Sequence, residues 1–307
     1  MTGPTPAAGA GAAGTGAAGT RLPSLSCVVL TMGDRPAEVA RALETVRNQA
    51  GDPVETVVVG NGVEVRGLPE GVATLALPQN VGIPAGRNAG YAATSGDLVF
   101  FLDDDGWLPD AGTAQRIREQ FAADPRLGIL QLRILDPDTG RTQRRHVPRL
   151  RASDPERSSD VTTFLGGGSV VRRAVLDQVG PLPGSFFFAH EETDLAWRAL
   201  DAGWRIRYDA GAAMCHPTTP PSRHAVYFRM NARNRVWLAR RNLPLPLVPV
   251  YLGVWIALTV ARVHDRASLL VWARGFVEGW RSDPGPRRPM SWSTVLRMTR
   301  LGRPPVI

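Results

Sequence analysis

Between Ser26 and His216, short apolar segments alternate with amphipathic helical segments, and this alternation restricts the fold more than any other feature. The first half of the region contains four predicted strands: Ser26–Thr31, Val54–Val59, Ala73–Leu77 and Leu98–Leu102. Helices are predicted between them, one capped by Asp34 and ending before Gly51, the other over Ala85–Ala93. Such alternation favours a parallel, doubly wound α/β sheet, which binds ligands beyond the carboxyl ends of its strands.

The second half continues the pattern after an interruption. A strand is predicted over Leu127–Leu135, and a polar surface excursion over Asp136–Asp160 follows it. The elements predicted beyond are an ordered segment over Thr163–Val171, the helices Arg173–Val179 and Glu191–Ala202, the strand Arg205–Tyr208 and a small-residue turn before His216. We therefore expect three parts: a disordered leader over 1–23, an α/β domain over 24–216 and a helical extension over 217–307.

The last two parts differ sharply in charge. All 36 basic residues are arginines and 28 residues are acidic, which gives a formal net charge of +8. Residues 1–216 hold 21 arginines and 25 acidic residues, whereas residues 217–307 hold 15 and 3. The aromatic residues of the basic extension lie within apolar runs rather than between arginines, which argues against nucleic acid as its partner. Two cysteines cannot form a disulfide framework, so we expect a reducing compartment.

Three carboxylates, Asp103, Asp104 and Asp105, follow directly after the strand Leu98–Leu102. Adjacent like charges repel one another unless a cation neutralises them. Hard oxygen ligands suit Mg²⁺ or Mn²⁺, which commonly share carboxylate and phosphate ligands. The motif therefore favours a bridge between a metal and a diphosphate, with a solvated loop that caps a helix as the alternative.

The segment NVGIPAGRNAG, Asn80 to Gly90, opens the helix before the acidic strand. Glycine lets the backbone approach a ligand closely, and a helix N-terminus offers free N–H groups to an anion. Arg87 is a candidate partner of phosphate, and Asn88 a candidate for ordering the acidic loop. An ordinary Gly/Pro turn is the alternative, since the segment lacks the Gly-Lys-Ser/Thr of a Walker loop.

A second acidic group, Glu191, Glu192 and Asp194, lies in the first turn of the helix that follows Phe186–Phe188. Apolar surroundings raise the pKa of a carboxyl group, which suits a general base. Asp194 and Arg198 are four residues apart and can simply pair across one turn of the helix. His216, which ends the region, is either a structural histidine or a ligand.

Together these motifs resemble family 2 glycosyltransferases, which are inverting enzymes of the GT-A fold that use nucleotide diphospho-sugars. The resemblance extends over about Ser26–His216. It rests on SCVVLTMGDRP, VVVVGNG, NVGIPAGRNAG, FFLDDD, FLGGGSVVRR and VGPLPGSFFFAHEETDLAWR, followed by the final histidine, all in the family's order. It implies a Rossmann-like mixed sheet flanked by helices, with a C-terminal helical extension.

The resemblance also implies roles for single residues. Asp103 corresponds to the residue near the donor ribose, Asp105 to the metal carboxylate and Asp104 to a supporting or second ligand. Glu192 corresponds to the catalytic base, with Glu191 and Asp194 as rivals, and His216 to a histidine that contacts the metal or diphosphate. The other implied donor-binding residues are Thr31, Arg35, Asn61, Asn80, Gly82, Arg87 and Asn88. The implied acceptor side comprises Gly166, Gly167, Gly168, Trp197 and Arg198. The implied cofactor is Mn²⁺ or Mg²⁺, bound by Asp105, Asp103 and His216.

Two positions depart from the family's pattern. The second strand usually ends in an Asp that contacts the nucleobase, and Gly60 occupies that position here. The base is also Glu192 rather than the commoner Asp, which leaves Glu191 open as an alternative. The expected reaction is transfer of a hexosyl or deoxyhexosyl group to a hydroxyl of an envelope, lipid-linked or polysaccharide glycan. A nucleotidyltransferase and a non-catalytic sugar- or nucleotide-binding relative are the alternatives.

The uncharged segment 242–261 lies within the basic extension. Three interpretations are open: interfacial contact with a membrane, a core helix packed on the α/β domain, or a spanning helix that Pro244, Pro246 and Pro249 would interrupt. Arginines before the segment would be attracted to anionic lipid headgroups. We therefore expect a cytoplasmic protein at the inner face of the cell membrane.

Overall fold

A computed structural model describes residues 3, 21–150, 154–217 and 226–307. The expected leader over 1–23 lies almost entirely outside the described residues. The strands are β1 (Leu25–Thr31), β2 (Glu55–Asn61), β3 (Ala73–Leu77), β4 (Leu98–Asp103), β5 (Leu127–Leu135), β6 (Ser159–Asp160), β7 (Ser169–Arg172) and β8 (Arg205–Cys215). The helices are α1 (Pro36–Arg47), α2 (Ile83–Ala92), α3 (Thr113–Ala123), α4 (Arg173–Val179), α5 (Glu191–Asp201), α6 (Tyr227–Asn242), α7 (Leu247–Arg262), α8 (Arg266–Arg281) and α9 (Trp292–Arg300).

The strands form one mixed sheet in the order β3-β2-β1-β4-β7-β5-β8-β6. The half from β3 to β4 is parallel, as the alternation predicts. β7 runs antiparallel to both β4 and β5, so the expectation of a wholly parallel sheet is wrong beyond β4. The mixed sheet implied by the family resemblance is confirmed.

Alternate residues of the central strands face two separate cores. Cys27 and Val29 of β1 face the core beneath α1 and α3, whereas Val28 faces the core beneath α5 and the C-terminal helices. This follows from the two-residue period of a strand, and it explains why the predicted strands are apolar at nearly every position.

Two local predictions are wrong, one at the start of α1 and one before His216. α1 has Arg35 rather than Asp34 at its N-cap, without a side-chain cap, because Pro36 already begins the helix without needing a partner for an N–H. The ordered segment expected over Thr163–Val171 includes the loop Gly166–Gly168 and the start of the strand Ser169–Arg172. No small-residue turn precedes His216. Instead, β8 continues to Cys215 and accommodates the small residues through a shift in its register with β5.

The C-terminal helices pack on the α/β domain. Val236, Leu238 and Tyr251 are buried in the same core as Leu195 and Trp197 of α5. Within the described residues, no helix is both long enough and apolar enough to cross a bilayer. α7 begins after Pro246, and Pro249 lies in its first turn, where proline is tolerated.

Candidate active site

The polar ends of several strands meet at one edge of the sheet. Leu30 of β1 is aligned with Asp103 of β4, and Thr31 with Gly60 of β2, so these strands end side by side. Cys215, at the end of β8, exchanges two backbone hydrogen bonds with Trp107, with N···O distances of 3.0 and 2.8 Å. That pairing brings His216 beside the acidic loop, although the two are far apart in sequence.

The acidic loop lies among basic side chains. His216 Nε2 is 3.0 Å from Asp105 Oδ1 and 3.6 Å from Asp103 Oδ2. Arg35 contacts Asp105 and lies 3.3 Å from Asp104 Oδ1. Arg87 Nη2 donates to Asp103 Oδ1 at 2.8 Å. Each of the three aspartates therefore has a cationic or imidazole partner, which offsets the repulsion among them.

The three carboxylates nevertheless differ in acidity. Burial raises the pKa of Asp104 to about 6, despite a hydrogen bond from Thr31 and the charge of Arg35. Burial also acts on Asp105, but the hydrogen bond from His216 and the charges of His216 and Arg35 outweigh it and lower its pKa. Asp105 is therefore the more readily ionised of the two, as a metal ligand must be.

Asp103, Asp105 and His216 form a donor set suited to Mn²⁺ or Mg²⁺. Among the described residues, no three such side chains are already arranged as a metal cage. His216 Nε2 instead lies within hydrogen-bond distance of Asp105 Oδ1, and Arg35 contacts Asp105 Oδ2. The residues present fit a metal that completes its coordination with substrate phosphates, a pattern typical of Mg²⁺ sites.

The glycine loop Gly166–Gly168 links the acidic loop to α5. Gly166 N donates to Glu192 Oε1 at 3.1 Å. A Cβ at Gly167 would overlap the carboxylate of Asp103, and one at Gly166 would overlap the guanidinium of Arg87. Only glycine therefore allows the loop to lie this close to both acidic groups.

The two glutamates of α5 differ in their exposure to solvent. Glu191 is 1 % exposed, whereas Glu192 is only partly buried. Burial raises the pKa of both carboxyl groups, and the charge of Glu192 raises that of Glu191 further. For Glu192, the charge of Arg87 and the hydrogen bond from Gly166 partly offset burial. Glu192 is thus the glutamate that combines solvent access with groups stabilising its ionised form.

The loop before these glutamates has an unusual backbone. Phe187, Ala189 and His190 have φ values of 65°, 68° and 70°, which residues other than glycine rarely adopt. Asn234 of α6 is fully buried, and its Nδ2 lies 2.8–2.9 Å from the carbonyl oxygens of Phe186, Phe188 and Ala189. The C-terminal extension therefore holds this loop in place.

The donor-side asparagines mainly order backbone. Asn61 Nδ2 donates to Asn80 Oδ1 at 2.9 Å, and Asn61 Oδ1 accepts from Val81 N. Asn88 exchanges hydrogen bonds with the backbone of Leu182, so the expectation that it orders the acidic loop is wrong. Gly82 has a φ of 83° and lies against Phe187, which only glycine permits. A Cβ at Gly60 would overlap Val63 O, so an Asp cannot fit there unless the turn moves.

Three further predicted site residues contribute to packing. The carboxylate of Asp194 is fully buried and bonds to Arg198, Arg241 and Asn242 at 2.7–2.9 Å. Arg198 also donates to the carbonyl oxygens of Val179, Gly180 and Pro181. Trp197 is 5 % exposed and packs edge-on against Tyr251, with ring centroids 5.9 Å apart. These contacts argue against Asp194 as a base and against Arg198 as an acceptor ligand.

Sequence reasoning missed other residues at the site. Gln131 of β5 accepts from Leu165 N and donates to Gly168 O, which fixes the glycine loop. His146 comes from the supposed surface excursion, yet its ring packs edge-on against His216 at 6.4 Å, and burial lowers its pKa to about 4. Gln131 could have been found from the sequence, because it is a polar residue inside the apolar strand Leu127–Leu135. No feature of the sequence singled out His146.

Comparisons with known proteins agree with this geometry. The family model described as glycosyl transferase family 2 matches residues 26–180. This segment includes Asp103–Asp105 and ends before Glu192 and His216. A pre-mycofactocin glycosyltransferase from Mycobacterium tuberculosis is 26% identical over 213 residues, which cover 65% of this chain and 45% of that protein. The chain thus spans about half the length of that relative.

Solved structures show the same fold at low identity. A mannosyltransferase from Pyrobaculum calidifontis, in complex with GDP-Man and Mn²⁺, has a TM-score of 0.55 at 16% identity, covering 92% of this chain and 85% of its own. GalNAc-T7 with UDP, GalNAc and Mn²⁺ has a TM-score of 0.60 at 12% identity, covering 86% and 55%. These likenesses confirm the GT-A fold. Since the family model matches half of the chain, the protein belongs to glycosyl transferase family 2.

Proposed function

We propose that this protein transfers a sugar from a nucleotide diphospho-sugar to an acceptor hydroxyl, with inversion at the anomeric carbon. One observation carries the proposal: the glycine loop joins the acidic loop to a partly exposed glutamate. Gly166 N–H donates to Glu192, and Gly167 abuts Asp103. A donor held at the acidic loop would therefore lie near a carboxylate able to accept a proton.

Glu192 is the proposed base. It takes the proton of the acceptor hydroxyl as the oxygen attacks the anomeric carbon from the face opposite the leaving diphosphate. Arg87, whose charge favours the ionised form of Glu192, also pairs with Asp103 and so couples the two halves of the site. Glu191 is too buried to reach a substrate without rearrangement.

The donor would be bound by Thr31, Arg35, Asp103 and Asp104. A divalent cation, Mn²⁺ or Mg²⁺, would be held by Asp105, Asp103 and His216, where it would neutralise charge on the leaving diphosphate. Asn61, Asn80 and Gly82 shape the loop beside the donor site rather than contacting the donor. The glycine loop forms the acceptor side.

The proposed acceptor is an envelope, lipid-linked or polysaccharide glycan reached from the inner face of the membrane. Large apolar side chains on the C-terminal helices support contact with a membrane surface, because Val260, Leu270 and Trp280 are 61%, 62% and 47% exposed. Exposed arginines lie on the same helices, among them Arg262, Arg274 and Arg281. Arginine beside exposed apolar groups fits anionic headgroups over acyl chains.

The test is a screen of the full chain with Mn²⁺ or Mg²⁺ against UDP-, GDP- and dTDP-sugars, which measures release of nucleoside diphosphate. We expect release with one donor class and its near-complete loss in Asp105→Ala and Glu192→Gln. Arg126→Gln, an exposed change before β5, is the control and should retain activity. Release of pyrophosphate would instead identify a nucleotidyltransferase, and binding without turnover a non-catalytic relative.

A further inference from the structure

A cavity of about 80 Å³ lies between the α/β domain and the C-terminal helices, outside the acidic loop. Thr162 and His190 line it on the side of the α/β domain, and Arg235, Tyr251, Trp255 and Arg303 line it on the other side. Its lining contains no Asp or Glu. Two arginines and several hydrogen-bond donors therefore face the cavity, and the terminal residue Ile307 lies at its edge.

Three polar atoms of this lining have no partner. Thr162 Oγ1, His190 Nε2 and Trp255 Nε1 are all shielded from solvent and make no hydrogen bond within the described residues. Thr162 is 2 % exposed. A buried polar group without a partner is unfavourable, so several around one cavity point to a bound ligand.

The two arginines differ in their surroundings. Arg235 Nε donates to Asn231 Oδ1 at 3.0 Å and its Nη1 to the hydroxyl of Tyr251 at 3.3 Å, while its guanidinium stacks 3.3 Å above the Trp255 ring. Arg303 Nε lies 3.5 Å from the main-chain oxygen of Ile307, where the α-carboxylate of the last residue supplies negative charge. Neither forms an ion pair with Asp or Glu among the described residues, and the segments outside them contain no Asp or Glu at all.

Arg235 therefore carries its charge without an anionic partner among the described residues. Burial lowers the pKa of Arg235, which is the response of an enclosed cation that lacks a carboxylate partner. Enclosed charges in proteins are normally paired. A phosphate group has several acceptor oxygens, enough for two guanidinium groups and the neutral donors together.

We propose that this cavity binds a phosphate group. Arg235 and Arg303 supply the charge, and the Trp255 indole N–H and the Thr162 hydroxyl supply neutral hydrogen bonds. His190 also stands next to Glu191 and Glu192 at the start of α5, so the bound group would lie against the turn that carries the proposed base. If the proposed function holds, the natural source is a phosphate of the acceptor. The binding site itself does not depend on that function.

The experiment titrates the full chain with inorganic phosphate in EDTA, without any sugar nucleotide, and follows heat of binding and thermal unfolding. We expect one phosphate per chain and a higher unfolding temperature. Arg235→Gln should weaken binding about tenfold to a hundredfold, because a charge-assisted bond is lost. Arg126→Gln, an exposed change before β5, is the control and should bind like the wild type.

A second variant guards against misfolding of the first. Trp255→Phe retains the ring beneath Arg235 but removes the unpartnered N–H, and should weaken binding roughly threefold to tenfold. Without phosphate, Arg235→Gln should unfold at the same temperature as the wild type or higher, since it removes an uncompensated cation. A purely structural Arg235 predicts the opposite shift. Absence of phosphate binding, or equal affinity in both variants and wild type, would overturn the proposal.

Hexyl phosphate distinguishes a site for the phosphate of an acceptor from a site for free inorganic phosphate. A site for the phosphate of a larger acceptor should bind this monoester as well as inorganic phosphate, whereas a site for a free ion should exclude it. Because no donor is present, phosphate binding can fail while sugar transfer is observed, and the reverse. The two proposals are therefore tested separately.

Discussion

Gly167 shows how closely the backbone must approach the acidic loop. A Cβ there would overlap the carboxylate of Asp103, which Arg87 holds from the other side. We expect Gly167→Ala to displace Asp103 and lower sugar transfer about a hundredfold, since misplacement of a reacting group by about 1 Å has such an effect. Nucleoside diphosphate release would measure the loss.

The matched control is Gly253→Ala on α7, where an added Cβ meets nothing within 4 Å. This change should leave transfer intact and stabilise the fold by about 0.5–1 kcal/mol, because alanine is the better helix former. Unaltered transfer by Gly167→Ala would show that Asp103 does not need its present position.

Glu191 supplies a pH-dependent stability test. Its folded-state pKa is raised by burial and by the charge of Glu192, whereas the unfolded chain keeps the ordinary value of about 4.3. Between these values the folded protein holds a proton that the unfolded chain has lost, so stability falls as pH rises through the folded-state pKa. Glu191→Gln cannot ionise and should escape this loss.

Thermal unfolding from about pH 5 to about pH 9 would check the sign. The unfolding temperature of Glu191→Gln relative to wild type should rise as pH increases, whereas the exposed Glu70→Gln should follow wild type throughout. A constant difference across the range would mean that Glu191 is already ionised at low pH.

At the scale of single elements, α6 controls the loop before the proposed base. Asn234 bonds to three carbonyl groups of a loop that has positive φ at Phe187, Ala189 and His190. Asn234→Leu fills a similar volume but removes the amide donor that the three carbonyl groups share, so the loop should relax. We expect kcat to fall about tenfold to a hundredfold with little change in donor KM, and stability to fall by about 1–3 kcal/mol.

Arg229→Gln is the control on the same helix. It removes a largely exposed pair with Glu278, where the N···O distance is 2.7 Å, and such pairs contribute about 0–1 kcal/mol. Steady-state kinetics and thermal unfolding of both variants would separate the roles. If Asn234→Leu loses stability but keeps kcat, α6 supports the fold without positioning the base.

Strands and helices were predicted correctly where a local hydrophobic pattern determines the structure. The apolar runs that became β1, β2, β3 and β4 are parallel, so their polar ends had to meet at one edge. The contact of Asn234 with Phe186 could not be predicted, because it depends on how α6 docks on a loop 48 positions earlier in the chain. The role of Asp194 also depends on how α6 docks. It was a candidate base in the sequence, but its carboxylate accepts hydrogen bonds from Arg241 and Asn242 of α6.

For the whole molecule, the division at residue 217 is one of charge rather than of packing. Val236, Leu238 and Met298 share a core with Leu195 and Trp197, so the basic extension completes the interior of the α/β domain. Its arginine excess therefore has two uses. Arg233 and Arg241 bond to the loop and helix of the candidate site, whereas other arginines remain at the surface.

The outer face of α8 carries exposed apolar and cationic side chains. Leu270, Arg274, Val277 and Arg281 recur at helical spacing and are all exposed, so apolar and cationic groups alternate along one stripe. The full chain should therefore bind vesicles that contain anionic lipid at low salt, and release them as salt rises. The double variant Arg274→Gln/Arg281→Gln should bind about thirtyfold more weakly, at about 1 kcal/mol per arginine.

Glu64→Gln, exposed on the α/β domain, is the control. Vesicle sedimentation would decide, and equal binding of neutral and anionic vesicles by the wild type would contradict an electrostatic contact through this stripe.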